Sequence, residues 1–228
     1  MKLKEYRKKR HFGATPEPPG TSKAEKKRNE SLIYVVQKHI ASHLHYDFRL
    51  EWRGVLLSWA VPKGPSLDPG VTSLAMRTED HPIEYSNFEG VIPTGQYGAG
   101  TVMLWDKGTW HPDDADVDGS LQKGEIKFTL QGKKLRGSWV LVRTRGFGKN
   151  PSRSAWLLIK HRDQYASTKD VTQEEPRSAA SRRLLVDIAR DERGDVEAAS
   201  TGDPAGKGRR ATGAKPASGR AGRKRRRQ

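Results

Sequence analysis

From Ser31 to about Tyr165 the chain is a succession of short β-type runs, each closed by a glycine-rich turn, a pattern that does not suit a helical bundle. The runs include Leu32–Val36, Leu44–Leu50, Val55–Val61, Thr101–Trp105, Glu125–Leu130, Ser138–Arg143 and Trp156–Lys160. Strands at this spacing, with little 3.6-residue apolar periodicity, predict an all-β fold, a mainly antiparallel barrel or sandwich. Arg177–Arg190 places Leu184, Leu185 and Ile188 at helical spacing, which predicts one minor peripheral helix.

The ends of the chain differ from this middle. Of the net charge of +16, residues 1–30 carry +6 and residues 201–228 carry +9, leaving +1 for everything between them. A near-neutral body therefore bears two basic arms, which suit a polyanion bound through its phosphates. A solubility tail or an acidic lipid surface is the bland alternative. Four segments are expected: a basic N-terminal arm (1–30), a β-barrel domain (31–166), a linker with a short helix (167–200) and a disordered basic tail (201–228). From about Asp191 onward the chain lacks the apolar content to fold. With 33% hydrophobic and 31% charged residues, the whole length cannot share one core.

There is no cysteine, so disulfides, thiolate zinc sites and a cysteine nucleophile are excluded. No apolar run approaches the roughly 20 residues of a membrane-spanning helix, and the N-terminus lacks a signal-peptide core. A soluble, cytoplasmic protein with no membrane partner is expected.

The chemistry gathers in His43-Leu44-His45-Tyr46-Asp47-Phe48-Arg49-Leu50. Alternate residues of a strand face opposite ways, so His43, His45, Asp47 and Arg49 share one face and the apolar residues the other. Same-face neighbours then lie about 6.6 to 7 Å apart. His39 has the same parity and joins them if the chain bends. Two imidazoles and a carboxylate suit Mn, Fe or Zn with positions open for substrate. Arg49 beside them suits a phosphoryl group, whose oxygens its planar fork matches. The plain alternative is a solvated polar strand face with incidental histidines.

A second cluster is Arg77-Thr78-Glu79-Asp80-His81-Pro82-Ile83-Glu84-Tyr85. His81 there suits a general acid or a cationic phosphate contact, with a surface turn before Pro82 as the alternative. Lys63-Gly64-Pro65-Ser66 and Pro93-Thr94-Gly95-Gln96-Tyr97-Gly98-Ala99-Gly100 do not match a phosphate-binding loop and read as tight turns.

Gln37–Leu50 closely resembles the 3′-phosphoesterase module of bacterial DNA ligase D. So do Ser58-Trp59-Ala60-Val61-Pro62-Lys63-Gly64-Pro65-Ser66, Glu79-Asp80-His81-Pro82 and Phe88-Glu89-Gly90-Val91-Ile92-Pro93. The similarity spans about residues 5–165, and in 228 residues the module is expected to stand alone. The resemblance implies a β-barrel with its active site in a crescent groove. It also implies a Mn2+-dependent enzyme that removes a 3′ ribonucleotide and then a 3′-phosphate from a DNA primer strand, leaving a 3′-hydroxyl for end joining. By the same resemblance, His39, His45 and Asp47 correspond to the metal ligands. Arg49 and His81 correspond to residues that contact the phosphate and its transition state, and Lys63, Glu79 and Tyr85 to further catalytic positions. His43 is a supporting residue on the substrate side. DNA is then the partner, beside a DNA ligase and a Ku-like end-binding protein, in the bacterial nucleoid.

Two departures stand out. Related modules carry Lys-Arg-Leu-Ala where this chain has Thr72-Ser73-Leu74-Ala75, so Ser73 replaces a phosphate-binding arginine and Arg77 is the candidate substitute. Related arms read Arg-Asp-Phe where this one reads Arg10-His11-Phe12, before Thr15-Pro16-Glu17-Pro18. These changes motivate a weakened nuclease beside a retained phosphatase. Ser73, with the large basic balance of the two arms, also motivates a second class of function, a catalytically weak DNA-binding accessory of end joining. A non-haem iron oxygenase is a third reading of two histidines and an aspartate on a barrel.

Overall fold

The computed structural model describes residues 3–20, 31–144 and 155–205. Ten strands alternate with short helical pieces: β1 (Leu32–Ile40), β2 (Leu44–Trp52), β3 (Val55–Val61), β4 (Thr72–Arg77), β5 (His81–Pro82), β6 (Gly90–Ile92), β7 (Gly100–Pro112), β8 (Glu125–Gly132), β9 (Arg136–Arg143) and β10 (Ala155–Lys160). All pairings are antiparallel, in the order β1-β2-β3-β4-β10-β9-β8-β7. A further pairing of β7 with β1 closes eight strands into a barrel, so the expected all-β antiparallel barrel is what forms. Closure matters because it leaves those strands no unpaired edge. β6 pairs with the first residues of β7, and β5 is a two-residue strand on β3.

The pleat sorts the side chains. Tyr34 and Val36 of β1, Tyr46, Phe48 and Leu50 of β2, and Leu57, Trp59 and Val61 of β3 point inward. They meet Met103, Trp105, Phe128, Trp139, Leu141, Trp156 and Leu158 in one buried core. Each such side chain contributes roughly 1.5–3 kcal/mol when taken from water, which is why the apolar parity of β2 sets its orientation. The register between β1 and β7 slips at Val36/Gln37, where Trp105 is the extra residue. A bulge of this kind bends the strand and sharpens its twist.

β1, β3 and β7 are covered on their outer face as well. Val35, Leu56, Val102 and Leu104 pack there with Tyr85, Phe88 and Ile92, and with Tyr6 from the N-terminal segment. That segment is more than a charged tail. Residues 3–20 lie against the barrel, opening with α1 (Lys4–Lys8), and Tyr6, Arg10, Thr15 and Glu17 are buried. Tyr6 donates its hydroxyl hydrogen to the Pro18 carbonyl at 2.7 Å, and Arg7 binds the Gly20 carbonyl, which folds the segment back on itself.

The C-terminal side also differs from expectation. The stretch expected as a linker with one short helix carries three, α3 (Val171–Glu174), α4 (Leu185–Asp191) and α5 (Val196–Gly202), the last running past residue 200, with α2 (Val117–Lys123) between β7 and β8. Folding therefore continues past Asp191, against the reading from composition. Asp203 explains it: its carboxylate accepts from the Leu185 and Val186 amides at 3.2 and 2.9 Å and lies 3.5 Å from the buried Lys38 ammonium of β1. A few polar contacts at a helix junction thus do what apolar content alone did not predict. The tail expected over 201–228 lies mostly outside the described residues, as does 21–30. Among the described residues, no helix is long and apolar enough to cross a membrane.

The β1–β7 seam requires a glycine. Gly100 has φ 144°, and a Cβ there would stand 2.0 Å from the Ile40 carbonyl oxygen. Gly100→Ala is expected to destabilise the barrel by about 2–4 kcal/mol, read from the urea midpoint at an unchanged slope; a midpoint equal to wild type would show that the seam yields.

Candidate active site

The residues with chemistry lie on the outer face of β1–β3, in the layer beneath the N-terminal segment. On β1 and β2 the pairing sets His39 directly opposite His45 and Gln37 opposite Asp47. The His39 and His45 rings are 4.8 Å apart between centroids. His39 Nδ1 and His45 Nε2 each lie 3.7 Å from Asp47 Oδ2, and one donor atom from each of the three residues falls within 4.8 Å of the others. The bend that His39 needed is simply the β1–β2 hairpin.

These donors suit a divalent cation. His39 is buried, and its Nε2 has no hydrogen-bond partner among the described residues. His45 Nδ1 lies 3.0 Å from the His43 carbonyl; with the proton on that nitrogen, the Nε2 lone pair is left facing Asp47. Burial opposes a charge on Asp47, yet the Arg49 guanidinium, with His39 and His45 beside it, holds its carboxyl well below the usual carboxylate range. An ionised carboxylate and two imidazoles are a ligand set for a transition metal with open positions.

Arg49 is the hub of the second half of the site. Its Nε donates to Gln37 Oε1 at 2.8 Å and its Nη1 to Ser58 Oγ at 2.8 Å, while Nη2 meets Asp47 at 3.2 Å. Gln37 in turn donates to the Tyr85 and Phe88 carbonyls, which ties β1 to the 3₁₀ turn at Ile83–Asn87. Tyr85 is buried with its ring centred 5.0 Å from the Arg49 guanidinium carbon and 4.8 Å from the His81 ring.

His81 lies at the end of this chain of contacts. Its Nδ1 is 2.9 Å from both the Glu79 carbonyl and Arg49 Nη1, and its Nε2 is 3.3 Å from Arg10 Nη2. One imidazole cannot satisfy both guanidinium donors while also donating to the carbonyl. The group as it stands is rich in donors, which an oxyanion would satisfy. Burial, and after it Arg49 and Arg10, push His81 well below its ordinary value of 6.5, so the ring is neutral in the folded protein. A depressed imidazole contributes stability that is present above about pH 6.5 and lost as pH falls toward the folded value. Thermal melting is expected to show a loss of stability below pH 6.5 that His81→Gln flattens; an equal slope in both proteins would assign the loss to other groups.

Glu79 connects the site to the N-terminal segment, through Lys9 Nζ at 3.0 Å and Arg10 Nη1 at 3.3 Å. Burial opposes its charge, but its own backbone amide and Lys9 lower the carboxyl below its usual value. Arg10 also pairs with the buried Glu17 at 2.8 Å.

The other candidates lie apart from this cluster. His43 is exposed, contributing its carbonyl to His45. Lys63 is exposed in the turn after β3, on a separate cavity of about 540 Å³ that Ser66, Thr72 and Lys169 also line. Arg77 is engaged by Asp80 at 2.5 Å and by the Ser58 and Thr78 carbonyls, with its guanidinium over Trp59. Ser73 is buried and donates to the Gly64 carbonyl at 2.9 Å.

Three residues of the cluster escaped the sequence reading. Gln37 shares the parity of His39, so extending the alternation back along β1 finds it. Ser58 faces Arg49 only through the β2–β3 register. Arg10, noted in the sequence only as part of the arm motif Arg10-His11-Phe12, stands 71 residues from His81, and nothing local placed it at the site.

Fold and site together define a closed β-barrel whose outer wall presents a His-His-Asp donor set beside a buried arginine and histidine. Residues 37–143 match the family described as the DNA Ligase D 3′-phosphoesterase domain. Over 187 residues the chain is 52% identical to the "Multifunctional non-homologous end joining protein LigD" of Pseudomonas aeruginosa, covering 81% of this chain and 22% of that protein. Over 163 residues it is 45% identical to the "Multifunctional non-homologous end joining DNA repair protein LigD" of Mycobacterium tuberculosis, covering 72% and 20%. The Mycolicibacterium smegmatis protein is 42% identical over 168 residues. The chain thus spans about a fifth of the length of these relatives, and its barrel resembles the 3′-phosphoesterase module of bacterial DNA ligase D.

Proposed function

We propose that this protein is a metal-dependent phosphoesterase that heals DNA 3′ ends, removing a terminal 3′ ribonucleotide and a 3′-phosphate to leave a 3′-hydroxyl for end joining. The observation that carries the reading is the convergence of His39, His45 and Asp47 beside the buried Arg49–His81 pair. His39, His45 and Asp47 would hold the cation, with Mn2+ the first choice, and when bound it supplies Lewis-acid stabilisation of charge on a phosphoryl oxygen.

The protein's own groups do the rest. Arg49 is fixed by Gln37, Ser58 and Asp47 before substrate arrives, so its charge faces a phosphate without reorganisation. Arg10 and His81 supply further donors. A phosphate dianion against His81 Nε2 offsets the two guanidinium charges and favours a proton on that nitrogen, next to the oxygen that gains charge or leaves. Glu79 orients Arg10 and Lys9 from behind.

The relatives are named for non-homologous end joining, and we extend that setting to this chain, with DNA as substrate and a ligase and a Ku-like protein as partners. The test is a primer–template ending in one 3′ ribonucleotide, followed over time with manganese. Loss of the ribonucleoside and then release of phosphate is the expected course. DNA binding with no turnover under any divalent metal would leave only the accessory reading.

A further inference from the structure

The loop 93–100 was read from sequence as a plain turn, yet it brings an aromatic ring to the rim of the site. Two successive turns, Gln96 N to the Pro93 carbonyl and Ala99 N to the Gln96 carbonyl, both at 3.1 Å, shape it. Gly95 and Gly98 adopt φ 85° and 76°, which an L side chain rarely does. A Cβ on Gly98 would lie 3.8 Å from His39 Cε1, so the loop abuts the metal-ligand cluster. Tyr97, immediately before Gly98, is 49% exposed.

Tyr97 also meets two cations of the N-terminal segment. Lys9 Nζ donates to its hydroxyl at 3.2 Å and lies 4.6 Å from the ring centroid, and the Arg10 guanidinium carbon lies 5.5 Å from it. Val71, Leu74, Tyr165 and Val196 are also exposed large apolar residues, but Tyr97 alone among these is tied to the cluster by described contacts. A half-exposed ring steadied by cations, one residue from the His39 contact, has the chemistry of a stacking platform for a nucleobase.

We infer that Tyr97 positions the DNA end by stacking on the base of the 3′-terminal nucleotide, without regard to which base it is. This rests on the proposed end-healing reading for its substrate, and is tested by binding alone. Stacking against an aromatic side chain tolerates every base because every base has a π face, whereas the phosphate contacts of Arg49 and His81 say nothing about the base.

The experiment measures Kd in a chelating buffer, at a salt concentration that suppresses the contribution of the basic arms. The ligands are 3′-phosphorylated primer–templates that carry or lack the terminal base. Wild type is expected to lose about tenfold in affinity when the base is removed. Tyr97→Leu is expected to bind both ligands about as wild type binds the abasic one, and Tyr97→Phe to keep the preference. An equal abasic penalty in wild type and Tyr97→Leu, or none in wild type, overturns the inference. Turnover of the wild-type protein with manganese is scored separately, so failure of the end-healing reading is distinguishable from failure of the stacking role.

Discussion

Asp47→Asn is expected to lower phosphoesterase turnover on the order of a thousandfold, roughly 4 kcal/mol of transition-state stabilisation. Asp47 lies within reach of both His39 and His45 and also meets Arg49. The amide keeps the volume and an acceptor oxygen but removes the charge, so metal affinity and Arg49 placement fall together. Isothermal titration with manganese is expected to show the loss of binding. Removing one member of a buried ion pair typically costs about 3–5 kcal/mol, moderated here by the Gln37, Ser58 and His81 contacts that Arg49 retains. Unchanged manganese affinity with full turnover would dismiss the triad as the metal centre.

Arg49→Lys is the second large effect, and it separates charge from shape. The guanidinium reaches Gln37, Ser58, His81 and Asp47 at once from its three nitrogens. An ammonium keeps the charge but is a point, and cannot span those partners. Turnover is expected to fall about a hundredfold or more, with stability lower by roughly 1–3 kcal/mol because buried acceptors lose their donor. Manganese affinity is expected to stay near wild type, which distinguishes this variant from Asp47→Asn. Near-normal turnover in Arg49→Lys would show that a positive charge suffices and that the fork is dispensable.

Much of this arrangement was legible before any coordinates. The run His43–Leu50 alternates so strictly that only one strand face is available to the apolar residues, and burying Tyr46, Phe48 and Leu50 sends His45, Asp47 and Arg49 to the other. Local alternation is a property of the backbone pleat and needs no tertiary information. Parity put His39 within reach if the chain bent, and Gln37 was within reach of the same rule. The choice of His39 over His43 as a ligand came from the family resemblance.

His43 shows where parity stops. It precedes the first residue of β2, and outside the ladder nothing holds its side chain to the common face. Arg77 and Lys63 show another boundary. Both are cations near a motif, but a neighbouring Asp80 claims one and the turn after β3 leaves the other facing away into solvent and a separate cavity.

The β-type runs, their polarity and the polar face of His45, Asp47 and Arg49 thus came from chain chemistry, because each depends on residues a few positions apart. The resemblance added His39 to the donor set. Closure of the barrel through the β1–β7 pairing, the docking of Arg10 against His81 and Glu79, and the fastening of α4 and α5 by Asp203 required the folded molecule. Those contacts join residues far apart in sequence, and what selects them is the need to satisfy buried charge and seal apolar surface, which exists only once the layers have come together.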